Sequence, residues 1–297
     1  AFMAHYGATI IGTGSAVPQR RLTNDDLARM VDTSDAWIFP RTGMRERRIC
    51  GPGDSTATLA TAAGQRALEA SGLAIDDIEL IIVATLTPEM ETPSTSCIVQ
   101  HALGVTRPIG CFDLNAACSG FVYALATAGM FIQNGAYKNV LVIGAETLSK
   151  VVDYTDRNTC ILFGDGAGAA VMQRTNNPEV GLRSFSLGAN GGGAHLISIP
   201  GGGSRHPTSE TTLAERMHYL KMSGREVYKF AVTQMTQSLQ DAMTSCGLTA
   251  QDVKLVVPHQ VNQRVIDAAT EKLGFPKEKI FLNIERYGNT SAASVPL

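Results

Sequence analysis

Short apolar runs of strand length alternate along this chain with longer stretches in which apolar residues return every three or four positions, the pattern of alternating strands and helices. The run from Gly7 to Gly14 predicts a strand feeding the glycine-rich turn GTGSAVP. The spacing then predicts a helix over 56–71 with Gly72 as its C-cap, a buried strand over 80–85 and a helix over 94–103. A strand runs from Ile109 into DLNAACSGF and is followed by a long, nearly uncharged stretch from Ser119 to Asn134, which reads as strand, tight turn, helix. Strand-length runs follow at 140–144 and 167–172, and a helix is expected over 223–246. Helices alternating with continuously apolar strands predict an α/β protein with mostly parallel sheets covered on both faces.

The pattern also repeats. SGLAIDDIELIIVAT from Ser71 aligns with CGLTAQDVKLVVPHQ from Cys246, keeping Gly72 with Gly247 and Leu80 with Leu255. Leu103 and Gly104 match Leu273 and Gly274, and the next strand and turn bring Cys118 into register with Asn289. The expectation is a duplicated α/β unit, with residues 1–181 as one half and 182–297 as the other. In the first half two strand-like runs follow the helix after Cys118, whereas the second reaches Leu297 a few residues after Asn289, so it is expected to be incomplete. Between the halves lie the glycine-rich loops LGANGGGAH and IPGGGSRHPTSE, expected at the surface.

Length and charge narrow the partners. At 297 residues the chain exceeds the usual size of one hydrophobic core. A net charge of -2 argues against nucleic acid or an anionic membrane as the main partner and for a small molecule or a protein. The six cysteines form no C-x-x-C pair and no zinc-like set with histidine, so no metal site is expected and the thiols read as reduced and cytoplasmic. No apolar run reaches membrane-spanning length, and AFMAHYGATIIG lacks the basic and long apolar regions of a secretory signal.

Cys118 is the candidate centre of chemistry. Ala116, Ala117 and Gly120 allow close backbone approach, and the start of a helix offers unpaired N–H groups that favour a thiolate. A buried structural cysteine is the plainer reading of the same stretch. His259, at the end of the repeated strand in VVPHQVNQR, and Asn289, in YGNTSAAS, can converge on Cys118 at the interface of the halves. A cysteine with a histidine and an asparagine suits acyl transfer through a thioester. A papain-like hydrolase uses the same three types, but its nucleophile has a tryptophan close behind it, absent here. The stretch SDAWIFPRTGMRERRI sets Trp37 among Arg41, Arg45, Arg47 and Arg48, either as a solvated charged loop or as a site for a phosphate-bearing ligand with a stacking surface. The glycines of GDGAGA resemble a phosphate cradle but lead into a strand, where a dinucleotide fingerprint leads into a helix.

Together NAACSGF, FGDGAGA, VPHQVNQR, YGNTSAAS and WIFPRTGMRERRI resemble the thiolase superfamily, and within it the β-ketoacyl-acyl-carrier-protein synthase III family of condensing enzymes. The resemblance implies a five-layered α-β-α-β-α fold from two related halves and a homodimer. It implies that Cys118 takes an acyl group from acyl-CoA and condenses it with malonyl-acyl-carrier protein with loss of CO2, without a permanently bound cofactor. His259 and Asn289 would complete the catalytic set. By motif, Trp37, Arg41, Thr42 and Arg157 fall at the CoA adenine, Asn262 and Arg264 near the pantetheine tunnel and carrier-protein dock, Tyr228 and Lys229 at the tunnel mouth, and Thr92 at the acyl pocket across the dimer. Asn158 and Glu271 depart from the family pattern, which often has glycine and a basic residue there. A related synthase making a quinolone, polyketide or long-chain ketone shares the triad and is the alternative.

Overall fold

The computed structural model describes residues 5–297, so residues 1–4 of the expected first half lie outside the described residues. The first half opens with β1 (Gly7–Ala16) and β2 (Arg21–Thr23), then α1 (Asn24–Ala28), α2 (Asp35–Thr42) and β3 (Glu46–Arg48), which pairs with β2. There follow α3 (Thr56–Ser71), β4 (Leu80–Ala84), α4 (Thr95–Ala102), β5 (Gly110–Leu114), α5 (Gly120–Gln133), β6 (Asn139–Thr147), α6 (Arg157–Cys160) and β7 (Asp165–Thr175). The second half holds β8 (Ile197–Ser198), α7 (Glu210–Ala214), β9 (Lys221–Met222), α8 (Gly224–Cys246), α9 (Gln263–Lys272) and α10 (Ile284–Tyr287).

A five-stranded sheet in the order β1-β7-β6-β4-β5 carries the first half. Every residue of β4 and β6 is buried, because alternate side chains leave opposite faces and both faces are covered. Ile81, Val83, Leu141 and Ile143 pack with Leu59, Ala63 and Val99 of α3 and α4. Leu80, Ile82, Val140 and Val142 pack with Phe121, Ala124 and Ile132 of α5 on the other face. Two hydrogen bonds fix α4 on the sheet: Asp113 of β5 accepts from Thr95 N (2.6 Å) and Ser96 N (2.8 Å), taking up unpaired N–H groups of the helix start.

The expectation of a mostly parallel sheet is corrected. β4 is parallel to β5 and β6, but β7 runs antiparallel to both β6 and β1. The segment between β6 and β7 holds only short helices, so the chain returns instead of crossing over, and antiparallel pairing follows. The second half also departs from expectation: Leu255 and Val257 are 50% and 41% exposed, and the run makes a single parallel bridge, Val256 to Ile280. That bridge has the same direction as β4 with β5.

Duplication is visible in backbone conformation. Gly72 and Gly247, after α3 and α8, are both left-handed caps with φ of 71° and 66°. Gly104 and Gly274 match likewise, at 82° and 73°.

Candidate active site

Two matching turns build the centre of the molecule. In the first, Asn115 Oδ1 accepts from Ala117 N (3.2 Å), Ala117 takes φ of 46°, and a single 3₁₀ turn, Ala117–Ser119, leads into α5. In the second, Asn289 Oδ1 accepts from Ser291 N (2.9 Å), Ser291 takes φ of 48°, and the 3₁₀ turn Ser291–Ala293 follows. The expected register is therefore corrected: Asn115 stands opposite Asn289, and Cys118 opposite Ala292. The turns pack on one another, and a Cβ on Gly120 would lie 3.4 Å from Ala292 Cβ. Gly144 of β6 makes room for the second turn, since a Cβ there would sit 2.3 Å from Ala292 O.

The glycines of GDGAGA serve the same assembly. Asn289 N donates to Leu162 O (2.9 Å) and Gly164 N to Asn289 O (3.0 Å), while a Cβ on Gly164 would lie 2.4 Å from Tyr287 O. Only glycine lets the two loops join so closely, and the join sets the position of Asn289. Behind it Arg47 is fully buried, donating to Leu22 O (3.2 Å), Asn24 Oδ1 (2.9 Å) and Ile161 O (2.5 Å). Arg47 and Arg48 thus join neither the solvated loop nor the phosphate-ligand site left open by the sequence, because backbone carbonyls replace water around their guanidinium groups.

Cys118 lies where two cavities meet. One, about 770 Å³, is lined by Cys118, His259, Asn289, Tyr228 and Asn262. The other, about 920 Å³, is lined by Leu86, Thr87, Glu91, Asn115, His218 and Ser291, and again by Cys118. Cys118, Ser119, Phe163 and Ile197 belong to both walls.

Burial pushes the Cys118 thiol up to about 11, with the Glu146 carboxyl adding to the shift. The resting group is a thiol, against the thiolate expected from the helix start, because loss of water outweighs the stabilisation available at the turn. Ser291, whose hydroxyl makes no hydrogen bond of ordinary length, favours ionisation of both Cys118 and Glu146 without overcoming burial. Glu146 itself is raised to about 7 by burial and holds the wall of the larger cavity, accepting from Leu86 N (3.2 Å), Thr87 N (3.1 Å) and Thr87 Oγ1 (2.5 Å). A consequence is measurable. Alkylation of Cys118 by iodoacetamide, followed by intact mass, should accelerate about tenfold per pH unit between roughly pH 7 and 9, as the thiolate fraction of a group titrating higher still increases. A plateau below pH 8 would show that burial does not control this thiol.

His259 is held neutral: burial lowers it to about 4. Its Nδ1 lies 2.6 Å from Ser294 Oγ, and among the described residues its buried Nε2 has no partner. Gln260 braces the turn, donating to Pro258 O (3.0 Å) and Phe281 O (3.1 Å) and accepting from Asn283 N (3.1 Å). With Asn289 Oδ1 engaged by Ser291, its NH2 is the group left for the cavity.

The other sequence-predicted residues separate into groups. The Trp37 ring carries the guanidinium of Arg41 at 4.7 Å and of Arg157 at 5.1 Å. Thr42 is buried, its hydroxyl donating to Ile38 O (2.9 Å), so it has a structural bond where a ligand contact was expected. Asn262 lines the smaller cavity, caps α9 and donates to Arg41 O (3.0 Å). Arg264 sits over the Tyr228 ring at 5.9 Å, while Lys229 is exposed and outside the cavity wall. Thr92 is exposed and does not line the larger cavity, whereas its neighbour Glu91 does. Sequence reasoning missed Ser294, Gln260 and Glu146. Ser294 was within the quoted YGNTSAAS, but nothing in a serine announces a histidine partner.

Comparison with known proteins matches these elements. Residues 112–191 fit the 3-oxoacyl-[acyl-carrier-protein (ACP)] synthase III family, and residues 243–297 fit its C-terminal family. A β-ketoacyl-[acyl-carrier-protein] synthase III of Caldanaerobacter subterraneus subsp. tengcongensis is 50% identical over 98% of this chain and 87% of its own. The crystal structure of 3-oxoacyl-[acyl-carrier-protein] synthase III from Aquifex aeolicus superposes with a TM-score of 0.85 at 45% identity, covering 98% of this chain and 88% of that one. The priming β-ketosynthase of the R1128 polyketide pathway superposes at 0.89 with 33% identity, over 100% and 87%. With half of its residues shared along nearly its whole length, and with the fold of those structures, this chain belongs to the β-ketoacyl-[acyl-carrier-protein] synthase III family.

Proposed function

We propose that this chain performs the initiating condensation of fatty-acid synthesis, with Cys118 as nucleophile. The carrying observation is that Cys118 stands at the junction of two cavities, one of which is also lined by Asn289 and by His259, whose Nε2 has no partner among the described residues. Cys118 Sγ forms a bond to the acyl carbon of acyl-CoA, the bond to CoA sulfur breaks, and the thiol proton passes to CoA. Malonyl-acyl-carrier protein then loses CO2, and the electron pair moves into the enolate. The enolate carbon attacks the acyl-enzyme, and Cys118 sulfur leaves and takes up a proton. Because decarboxylation creates the carbanion directly, no carboxylate base or resident cofactor is called for. Two donors toward the enolate oxygen suffice, and a neutral His259 and the Asn289 NH2 supply them.

In this reading the smaller cavity takes the pantetheine arm past Tyr228 and Asn262, and the larger holds the acyl chain. Trp37 with Arg41 and Arg157 receives the CoA adenine, the guanidinium groups already on the indole yielding to the base. Lys229 and Arg264 meet an acidic carrier protein at the mouth. The halves 1–181 and 182–297 meet at Cys118, and two copies pair so that Thr92 reaches the partner's acyl pocket in a cytoplasmic homodimer. Among the described residues no helix is long and apolar enough to cross a membrane. The ketide and long-chain ketone alternative shares the triad, but 50% identity to synthase III against 33% to the priming ketosynthase favours fatty-acid synthesis.

The test is intact mass after exposure to a panel of acyl-CoAs, followed by malonyl-acyl-carrier protein. One acyl group per chain on Cys118, discharged to a β-ketoacyl product, is expected. Branched or medium chains should load well, and Thr92→Phe should shift loading toward acetyl. Strict acetyl loading of the unmodified chain would sink the assignment of Thr92, and failure to load Cys118 would sink the reading as a whole.

A further inference from the structure

The second turn does more than carry Asn289. Three residues after Ser291, the buried Ser294 hydroxyl lies 2.6 Å from His259 Nδ1 and 3.4 Å from Gln260 N. The amide N–H of Gln260 can only donate, so it uses a lone pair of the hydroxyl. The Ser294 hydrogen then needs an acceptor, and among the described residues His259 Nδ1 is the only one its oxygen contacts. If Nδ1 carried the proton instead, Ser294 Oγ would face two donors and its own buried hydrogen would be left without a protein acceptor, which buried polar groups rarely are.

We infer that Ser294 is a positioning residue: its hydroxyl donates to His259 Nδ1 and so fixes the neutral ring as the tautomer with hydrogen on Nε2. This rests on the reading of His259 given above and names what makes that ring a donor. The buried Nε2, without a partner among the described residues, is then an N–H on a residue of the cavity wall, where an oxygen of the reacting thioester can satisfy it. A neutral ring with the other tautomer would present a lone pair to the same oxygen, which repels an enolate. One turn thus sets both donors, since the backbone N–H of Ser291 orients the Asn289 amide and the side chain of Ser294 orients His259.

The tautomer can be read directly. In the full chain labelled with 15N-histidine, the His259 ring, assigned by its absence from the His259→Ala spectrum, should show a protonated Nε2 and an acceptor-type Nδ1. Ser294→Ala should populate both tautomers and lower malonyl decarboxylation by about tenfold or more, while acylation of Cys118 stays within about twofold; a fully wrong tautomer in a comparable site costs far more. Ser294→Thr, which keeps the hydroxyl, should return the single tautomer and most of the activity. Hydrogen on Nδ1 in the unsubstituted chain would overturn the inference even if Ser294→Ala does not fold, and so would an unchanged tautomer in Ser294→Ala. A His259→Ala variant that decarboxylates normally would instead overturn the catalytic role of His259, an outcome separate from the ring's tautomer, which alone decides the part played by Ser294.

Discussion

Cys118→Ala should abolish both acyl-CoA discharge and condensation, a loss of about 10⁴-fold or more, because no other group can hold the acyl intermediate. The remaining cysteines do not share its surroundings. Burial raises the thiols of Cys160 and Cys111 to about 11, as it does that of Cys118, but neither lines either cavity. Cys97 and Cys246 are exposed and Cys50 is half-buried, and none of the three lines either cavity. Peptide mapping after incubation with acyl-CoA checks this. An acyl group on Cys111 or Cys160, with condensation continuing, would remove Cys118 from the centre of the mechanism.

The second large effect separates the two half-reactions. His259→Ala and Asn289→Ala should each lower malonyl decarboxylation on the order of 10²-fold to 10³-fold while leaving acylation of Cys118 much less affected, since each removes one donor toward the enolate oxygen. His259 is neutral and buried, so it enters no ion pair with the thiol in the resting enzyme. Single-turnover acylation and release of CO2 measure the halves independently. Equal losses in both would mean that the two side chains serve the sulfur and not the enolate.

Legibility of the sequence followed the kind of signal each feature leaves. β4, β6 and β7 were readable because strands buried on both faces are continuously apolar, and α3 and α8 because a glycine cap closes each. The sense of β7 was not, since direction depends on how the chain returns from β6 and no residue type records that. The repeat was real, yet its register at the turns was misplaced. Ala117 and Ser291 take positive φ although neither residue type favours it, so the matching conformations are invisible until the backbone is seen. Arg47 misled for a related reason: charge predicts solvent, and only the ring of carbonyls around it explains its burial. Within the candidate site, Cys118, His259 and Asn289, which line one cavity, stood out through motif and order, whereas Ser294 and Gln260 are tied in through hydrogen bonds that leave no pattern.

The meeting of two cavities at one sulfur also has a kinetic consequence. In the proposed reading CoA and the carrier arm both approach Cys118 through the cavity lined by Tyr228 and Asn262, while the acyl chain occupies the other cavity. An approach shared by both thioesters would admit one at a time, so the first product would have to depart before the second substrate could bind. Reciprocal plots at several fixed concentrations of carrier should therefore be parallel. At high concentration each thioester should inhibit the other's half-reaction by occupying the shared approach, making throughput depend on the ratio of the two substrates as well as on their amounts.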